Sequence, residues 1–350
     1  KDLKIIYTPI HGSGNIPVRR VLKELGYTVN VVKEQELPDG TFPTAPYPNP
    51  ENPQVFELAL KLAEEVHPDI IFGTDPDCDR VGVIVKDKAG NDQVLSGNQI
   101  GMLITYYLLK AMKEENKVPD NGVVIKTIVS TESVRAITKD FGVELLDVLT
   151  GFKYIGEKIE EYKETKEKTF LFGFEESFGY LAGTFVRDKD AVVASMILCE
   201  IATYYKTKGM TLYDALVEIY EKYGFFLEGI ESFTKTGKDG QEQIRKCVDY
   251  FRNSTLDEVG GVRTVSKEDY KLKEKVDLLT GEKTAITLPS SNVIKYTLED
   301  GSWFVVRPSG TEPKMKAYVA VKGNSLEDAK EKMETFKKRI VSIVHKGFDA

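Results

Sequence analysis

Asp75, Asp77 and Asp79 stand at alternate positions within PDIIFGTDPDCDRVGVIV, residues 68–85, between two apolar runs. Alternate residues of an extended segment point to one side, and Pro76 disfavours a helix through the stretch. Three like charges so placed repel one another, and the flanking runs offer them no cationic partner. A hard divalent cation cancels that repulsion. Mg²⁺ takes oxygen ligands in near-octahedral array and keeps positions for water or phosphate. A calcium loop of the EF-hand type is excluded: it needs Gly at the sixth position and Glu at the twelfth, which here are Arg80 and Lys86. Arg80, beside the cluster, suits a phosphate ligand. The competing account of the same residues is a solvated turn whose aspartates accept backbone hydrogen bonds.

Two further polar loops could carry chemistry. GFEESFG, residues 173–179, offers Glu175, Glu176 and Ser177 to a hydroxyl-rich ligand, although alone it reads more readily as an exposed acidic turn. Lys189, in the following VRDKD, could contact a substrate, carry a proton or cap the next helix. RPSGTEPKMK, residues 307–316, points to phosphate. Arg307 supplies a bidentate fork, Ser309 and Thr311 supply hydroxyls, and Gly310 lets the backbone turn N–H groups toward an anion. A tight turn between strands would need neither the Arg nor both hydroxyls. A metal loop beside an Arg, a hydroxyl-binding loop and a phosphate loop together suggest phosphoryl transfer on a phosphorylated polyol.

The elements that must position these loops alternate. In the first third, LKIIYT, TVNVV and DIIFG read as strands, with helices at PVRRVLKELG and PQVFELALKLAEEV between them, and RVGVIVKD and QVLS form a hairpin. Gly26 stops the first helix, and Asn52 and Pro53 open the second. Residues 33–53, with Pro38, Pro43, Pro46, Pro48 and Pro50, form an irregular loop. The middle third repeats the rhythm: VVIKTIV, VELLDVL and TFLF as strands, helices between, then GFEESFG and a helix from about residue 190 to 208. Both polar loops fall at the carboxyl ends of strands, where ligands collect in such sheets. After Gly224 the character changes. KTGKDG marks a linker or turn ahead of a helix that runs to about Phe251, two strands join across Asp300-Gly301, and a closing helix is capped by Ser325 and Asp328 and ended by Gly347. The fold class is α/β: two similar three-layer domains, residues 1–119 and 120–226, then an α+β domain, residues 227–350.

A chain of 350 residues exceeds one compact core. Its net charge of −7 excludes a general nucleic-acid binder, and no apolar run nears the ~20 residues of a membrane span. Cys78, Cys199 and Cys247 form no disulfide framework, which predicts a reducing, cytoplasmic setting. The chain opens KDLKIIYT, without initiator Met or signal peptide, as a piece of a longer polypeptide would.

At the level of motifs, TDPDCDR resembles the metal loop of the α-D-phosphohexomutases, usually DPDADR or DPDGDR. GFEESFG resembles their sugar-binding loop and RPSGTEPK their phosphate-binding loop, in the same order, while YTPIHGSGN, TGFKYIGE and VRDKDA resemble accessory segments. The chain is most similar to the bacterial phosphoglucomutase branch with YTPxHGxGN and PDGxFPT segments. The resemblance implies a C-terminal domain of TATA-binding-protein-like fold and interconversion of glucose 1-phosphate and glucose 6-phosphate through a phosphoserine and glucose 1,6-bisphosphate. Asp75, Asp77 and Asp79 would hold Mg²⁺, with Arg80 and Lys189 as catalytic groups. Glu175 and Ser177 would take sugar hydroxyls, Thr150 and Gly151 would line the site, and Arg307, Ser309, Gly310 and Thr311 would grip the phosphate that is not reacting.

Two residues depart from the pattern: Cys78 replaces a small residue in the metal loop, and Ala191 stands where Gly is frequent. The nucleophile's TASHNP-type loop is absent, since the three histidines are followed by Gly12, Pro68 and Lys346. The expectation is domains two to four of a mutase, with the phosphoserine on a missing N-terminal domain and no turnover alone. Phosphomannomutase and phosphopentomutase are the alternatives within the family. A haloacid-dehalogenase-type phosphatase would use Asp75 as nucleophile but leaves two loops unexplained, and a non-catalytic sugar-phosphate-binding module stays open. His11 either faces the missing domain or orders its Gly-rich loop, and the ordering role fits better.

Overall fold

The apolar run IIYT forms β1 (Ile5–Thr8), buried along its whole length, as a central parallel strand covered on both faces must be. In the computed structural model, which describes residues 2–309 and 313–349, β1 lies between the parallel strands β2 (Val29–Val31) and β3 (Ile70–Thr74). After residues 75–80 the chain returns as antiparallel β4 (Val81–Lys86), and β5 (Asp92–Leu95) closes the order β2-β1-β3-β4-β5. Helices α1 (Asn15–Glu24) and α2 (Glu57–Val66) link the parallel strands. Gly26, at φ +85°, follows the end of α1 in the left-handed region. The Asn52 side chain accepts the Gln54 N–H, and Pro53 opens a 3₁₀ turn ahead of α2.

A complete Ser96–Gln99 capping box starts α3 (Gly97–Glu114), which leads to the second sheet. Strands β6 (Gly122–Thr127), β7 (Glu144–Val148) and β8 (Thr169–Glu175) are parallel, and β9 (Gly179–Ala182) is antiparallel to β8. Their order, β7-β6-β8-β9, repeats that of β2-β1-β3-β4. Helices α4 (Ser133–Phe141) and α5 (Phe152–Thr165) make the connections. Beyond them, α6 (Ala191–Lys206) packs on α1 and β3 of the first layer and on β9 of the second, with the Tyr27 and Thr203 hydroxyls 2.9 Å apart. This shared helix helps make residues 1–223 one compact unit. Helix α7 (Leu212–Tyr223), absent from the sequence reading, buries Leu212, Ala215, Leu216 and Ile219 at helical spacing.

Residues 224–350 form the other unit. Its elements are β10 (Phe225–Thr234), α8 (Gly237–Asn253), β11 (Glu258–Val259), β12 (Val262–Asp269), β13 (Glu274–Asp277), β14 (Lys283–Ala285), β15 (Ile294–Leu298), β16 (Trp303–Pro308), β17 (Lys314–Gly323) and α9 (Leu326–Asp349). The antiparallel sheet runs β10-β17-β16-β15-β12-β13-β14, with β11 beside β12. Phe251 of α8 and Phe336 and Ile340 of α9 share its core with Tyr296, Phe304 and Val319. The Asp300-Gly301 hairpin joins β15 to β16. Three details differ from expectation. Residues 237–240, expected in a linker, are the first turn of α8. Ser325 accepts the Asp328 N–H, but Asp328 takes the Asn324 N–H in return, not that of Ser325. Gly347 lies inside α9, where a Cβ would fall 2.9 Å from the Cys247 sulfur, so it serves helix contact and not termination.

Candidate active site

Asp75 directly follows β3, and the next five residues fold back onto it. Its Oδ1 accepts the N–H groups of Asp79 (3.0 Å) and Arg80 (2.9 Å), and its carbonyl accepts that of Cys78 (3.0 Å). Asp75, Asp77 and Asp79 each present an oxygen, all within 4.8 Å of one another. Burial pushes the Asp75 carboxyl up to about 7, against the Arg80 N–H bond and with help from the charges on Asp79 and Asp77. The three side chains therefore converge as an all-oxygen set whose repulsion is not cancelled from within, which fits a hard divalent cation. Cys78 sits at φ +61°. Burial pushes its thiol up to about 12, which keeps it neutral and unsuited to bind a metal.

The loop rests on PIHGSGN. A Cβ on Gly12 would meet the Pro76 Cα at 2.5 Å, and one on Gly14 would meet the Tyr7 hydroxyl, Thr74 Oγ1 and Cys78 Sγ at 2.6–2.8 Å. Ser13 donates both its N–H (2.8 Å) and its hydroxyl (3.0 Å) to the Pro76 carbonyl. Only glycine lets two backbones approach this closely. The His11 ring bridges the Leu37 carbonyl (3.2 Å) and Thr44 Oγ1 (2.8 Å), tying the proline-rich segment to this bed. Sequence reasoning missed Gly12, Ser13 and Gly14 as supports; their signal was two glycines ahead of a helix.

Glu175 is the last residue of β8 and is buried, so this carboxylate is not part of an exposed acidic turn. It accepts the Gly151 N–H at 2.8 Å, from a glycine at φ +118° where L side chains strain. Burial raises its carboxyl above the ordinary range, opposed by the Gly151 bond, Lys189 and Arg80. Thr150 and Ser177 are half-buried near the same strand ends. The two polar loops are stitched together: Val81 donates to the Phe178 carbonyl (3.1 Å), Arg80 pairs with Gly179, and Ala191 donates to the Cys78 carbonyl (3.2 Å).

Lys189 joins them electrostatically. Its Nζ lies 3.0 Å from Asp79 Oδ2 and 3.1 Å from Asp188 Oδ1, and 5.6 Å from the centre of the Phe152 ring. Burial works against its charge, but the two carboxylates win and hold the ammonium above its ordinary pKa. Gly179 makes room for it, since a Cβ there would fall 2.2 Å from Lys189 Cδ. Lys189 does not cap α6; Asp190 does, through the Val192 and Val193 N–H groups. Arg80 reaches Asp79 (3.8 Å) and Asp75 (3.9 Å) through Nε and Glu51 (2.8 Å) through a terminal nitrogen. In the other unit, half-buried Arg307 lies on β16 opposite Lys316, and the Ser309 N–H bonds to the Lys314 carbonyl at 2.8 Å. Gly310 and Thr311 lie outside the described residues.

Residues 1–90, 96–223 and 255–338 match the family models for phosphoglucomutase/phosphomannomutase alpha/beta/alpha domain II, alpha/beta/alpha domain III and C-terminal domain. A phosphoglucomutase of Staphylococcus haemolyticus is 37% identical over 327 residues, 93% of this chain and 58% of that protein. The chain belongs to the phosphoglucomutase/phosphomannomutase family. The open form of parafusin, a phosphoglucomutase of Paramecium, superposes with TM-score 0.66 at 17% identity, over 100% of this chain and 58% of that one. An Aspergillus fumigatus N-acetylphosphoglucosamine mutase in complex with GlcNAc-6P and magnesium matches with TM-score 0.54 at 13% identity, over 99% of this chain and 62% of that one. A serine-to-alanine variant of that mutase, solved with glucose 1,6-bisphosphate, gives 0.51 at 13%, over 99% and 61%. At those identities the likeness is one of fold. The chain spans 58–60% of the length of the curated relatives it matches. Among the described residues no helix is long and apolar enough to cross a membrane.

Proposed function

We propose that this chain supplies the metal, sugar and distal-phosphate grips of a phosphoglucomutase, which interconverts glucose 1-phosphate and glucose 6-phosphate by way of glucose 1,6-bisphosphate. One observation carries the reading: three converging carboxylates, Arg80, Lys189 and buried Glu175 occupy one pair of stitched strand ends. Phosphoryl transfer asks mainly for positioning and for neutralisation of charge on the phosphoryl oxygens. Asp75, Asp77 and Asp79 would hold Mg²⁺, which when bound offsets phosphoryl charge; the magnesium in the Aspergillus relative supports that choice. The Nε edge of Arg80 adds a fixed cation beside the same group. Lys189 keeps a proton on Nζ and donates it toward the reacting sugar oxygen. Glu175 and Ser177 take sugar hydroxyls, with Thr150 and Gly151 lining their side. Arg307, Ser309, Gly310 and Thr311 grip the second phosphate, so that either end of the bisphosphate can face the metal.

No serine of these 350 residues stands in a Ser-His-Asn-Pro context, so the phosphorylated serine is assigned to a partner domain. The reading then expects binding by this chain without turnover. Glucose is preferred because the relatives at 34–37% identity are phosphoglucomutases. Calorimetric titration with glucose 1,6-bisphosphate, with and without Mg²⁺ and beside mannose 1,6-bisphosphate, tests all of this. The expected result is Mg²⁺-dependent binding that favours glucose and is lost in Arg307→Ala. Binding indifferent to Mg²⁺ and to Arg307→Ala sinks the site, and turnover of glucose 1-phosphate by the chain alone sinks the partner-domain assignment.

A further inference from the structure

We infer that Glu51 is a positioning residue for Arg80, delivered to it by the proline-rich segment seated in a slot on one face of the first sheet; this rests on the phosphoryl-transfer reading above. The slot is built from glycines. Gly73 on β3 and Gly82 on β4 face each other in the ladder. A Cβ on Gly73 would fall 2.9 Å from the Phe56 ring, and one on Gly82 would fall 2.9 Å from Pro50 and 3.3 Å from that same ring. Pro50 and Phe56 are buried there. The segment is thus clamped to the metal-bearing strand pair on both sides of residue 51. Just ahead of the first clamp Asn49 orders the turn, accepting the Glu51 N–H on its side chain (2.9 Å) and the Asn52 N–H on its carbonyl (2.9 Å).

This anchored turn brings Glu51 Oε1 to 2.8 Å from a terminal nitrogen of Arg80. The guanidinium is then held on one edge by Glu51, while its Nε stands 3.8–3.9 Å from Asp79 and Asp75. Those two aspartates lose hold on Arg80 when a cation engages them, whereas Glu51, outside the acidic cluster, does not. The pair is about one-third exposed on each side, and such pairs contribute only ~0–1 kcal/mol to folding. Stability therefore does not account for a carboxylate placed beside an anion site, where its charge opposes phosphate unless it is locked to Arg80. The same argument predicts a sign change: without Arg80, Glu51 only repels the ligand.

The test is a double-mutant cycle on the 350-residue chain, read by Mg²⁺-dependent binding of glucose 1,6-bisphosphate. Glu51→Gln is expected to weaken binding about tenfold, the size of one lost hydrogen bond to a charged group. In an Arg80→Ala background, Glu51→Gln should leave affinity unchanged or improve it. Equal weakening in both backgrounds means a scaffold role and overturns the inference, as does no weakening in either. A second readout needs no ligand: rotation of the Arg80 guanidinium, followed by ¹⁵N NMR, should be slow and should quicken in Glu51→Gln, and in Glu51→Asp should Glu51→Gln fail to fold. Unchanged rotation overturns the inference. If the unaltered chain binds no bisphosphate, the proposed function fails, and the NMR result alone decides the role of Glu51.

Discussion

The loop after β3 and the loop after β8 occupy the same place in two sheets of the same order, yet they handle a buried carboxylate in opposite ways. Asp75 receives two backbone N–H bonds and is still pushed up to about 7, by burial first and then by the charges of Asp79 and Asp77. Glu175 receives one N–H bond, and the cations Lys189 and Arg80 moderate its burial. The shared device is a strand that ends in an acid, followed by a tight return. The difference lies in what must complete it. The first loop gathers three acids against the edges of Lys189 and Arg80, while the second sets one carboxylate against the same two cations; on the proposed function a divalent cation completes the first, and the second accepts hydrogen bonds from a sugar.

Removing one acid from each loop should break that contrast most visibly. Asp77→Asn is expected to weaken Mg²⁺ binding by at least about 100-fold, since a ligand is lost outright where lost ligand supports cost 10–100-fold. It should also raise the metal-free melting temperature slightly by relieving repulsion. Glu175→Gln should leave Mg²⁺ affinity within about twofold while weakening bisphosphate binding by one charged hydrogen bond, about tenfold. Calorimetry and thermal melts check both. Equal Mg²⁺ losses in the two variants would erase the distinction.

The supports beneath the loops come next in size. Gly12→Ala forces a Cβ against the Pro76 backbone at 2.5 Å, whereas Gly179→Ala meets the flexible stem of Lys189 at 2.2 Å. The first should cost about 2 kcal/mol of stability, in the range for overpacking against unyielding atoms. The second should cost under about 1 kcal/mol, because a side chain can swing aside, but it should displace Lys189 from Asp79 and weaken bisphosphate binding. Denaturant melts beside ligand titrations separate the two.

These supports mark the limit of what the sequence discloses. The convergence of Asp75, Asp77 and Asp79 was expected from an extended segment, but residues 76–78 turn, with Cys78 at φ +61°, and it is the fold-back onto Asp75 that gathers the three side chains. The apolar runs on either side were legible because strand periodicity is local. The two α/β layers were legible for the same reason, as apolar runs with helical patterns between them. Gly12, Gly14, Gly73, Gly82 and Gly179 were not, since their meaning lies in which distant backbone, ring or side chain approaches them. Glu51 stood unmarked in an irregular loop because its partner lies 29 residues away. Strands β11, β13 and β14 are short, and the longer β12 is largely polar, without a periodic apolar face. Helix α7 carried a helical pattern that was overlooked, and Gly347 took a common stop residue into a helix interior.

A pH titration sharpens the comparison at the level of about one order of magnitude per unit. The folded Asp75 carboxyl stands at about 7 against an ordinary 3.8, so the folded chain holds that proton more tightly than the unfolded one. Without Mg²⁺, its contribution to stability is fully present below about pH 4 and is lost as pH rises through about 7. Mg²⁺ needs the ionised group, so its affinity should rise about tenfold per pH unit up to pH 7 and then level off. In Asp77→Asn one repelling charge is gone, and the midpoint of the remaining affinity should move down. Mg²⁺ binding that is flat between pH 5 and 8 would show that the proton held by buried Asp75 does not govern the site.

The smallest effect should come from Cys78, which sets the conformation of the metal loop without contributing a ligand. Its φ of +61° is left-handed, a region that costs a non-glycine residue about 1 kcal/mol. The residue is nonetheless buried, and losing a small apolar side chain from such a place costs a similar amount, about 1 kcal/mol. Cys78→Gly exchanges one term for the other, and its own gain is cut by the greater freedom of glycine in the unfolded chain. The expected change in stability is within about 1 kcal/mol of zero, with Mg²⁺ affinity unaltered because burial keeps the thiol neutral and out of the ligand set. A large fall in Mg²⁺ affinity in Cys78→Gly, at unchanged stability, would mean that the sulfur and not the loop conformation is what the metal site uses.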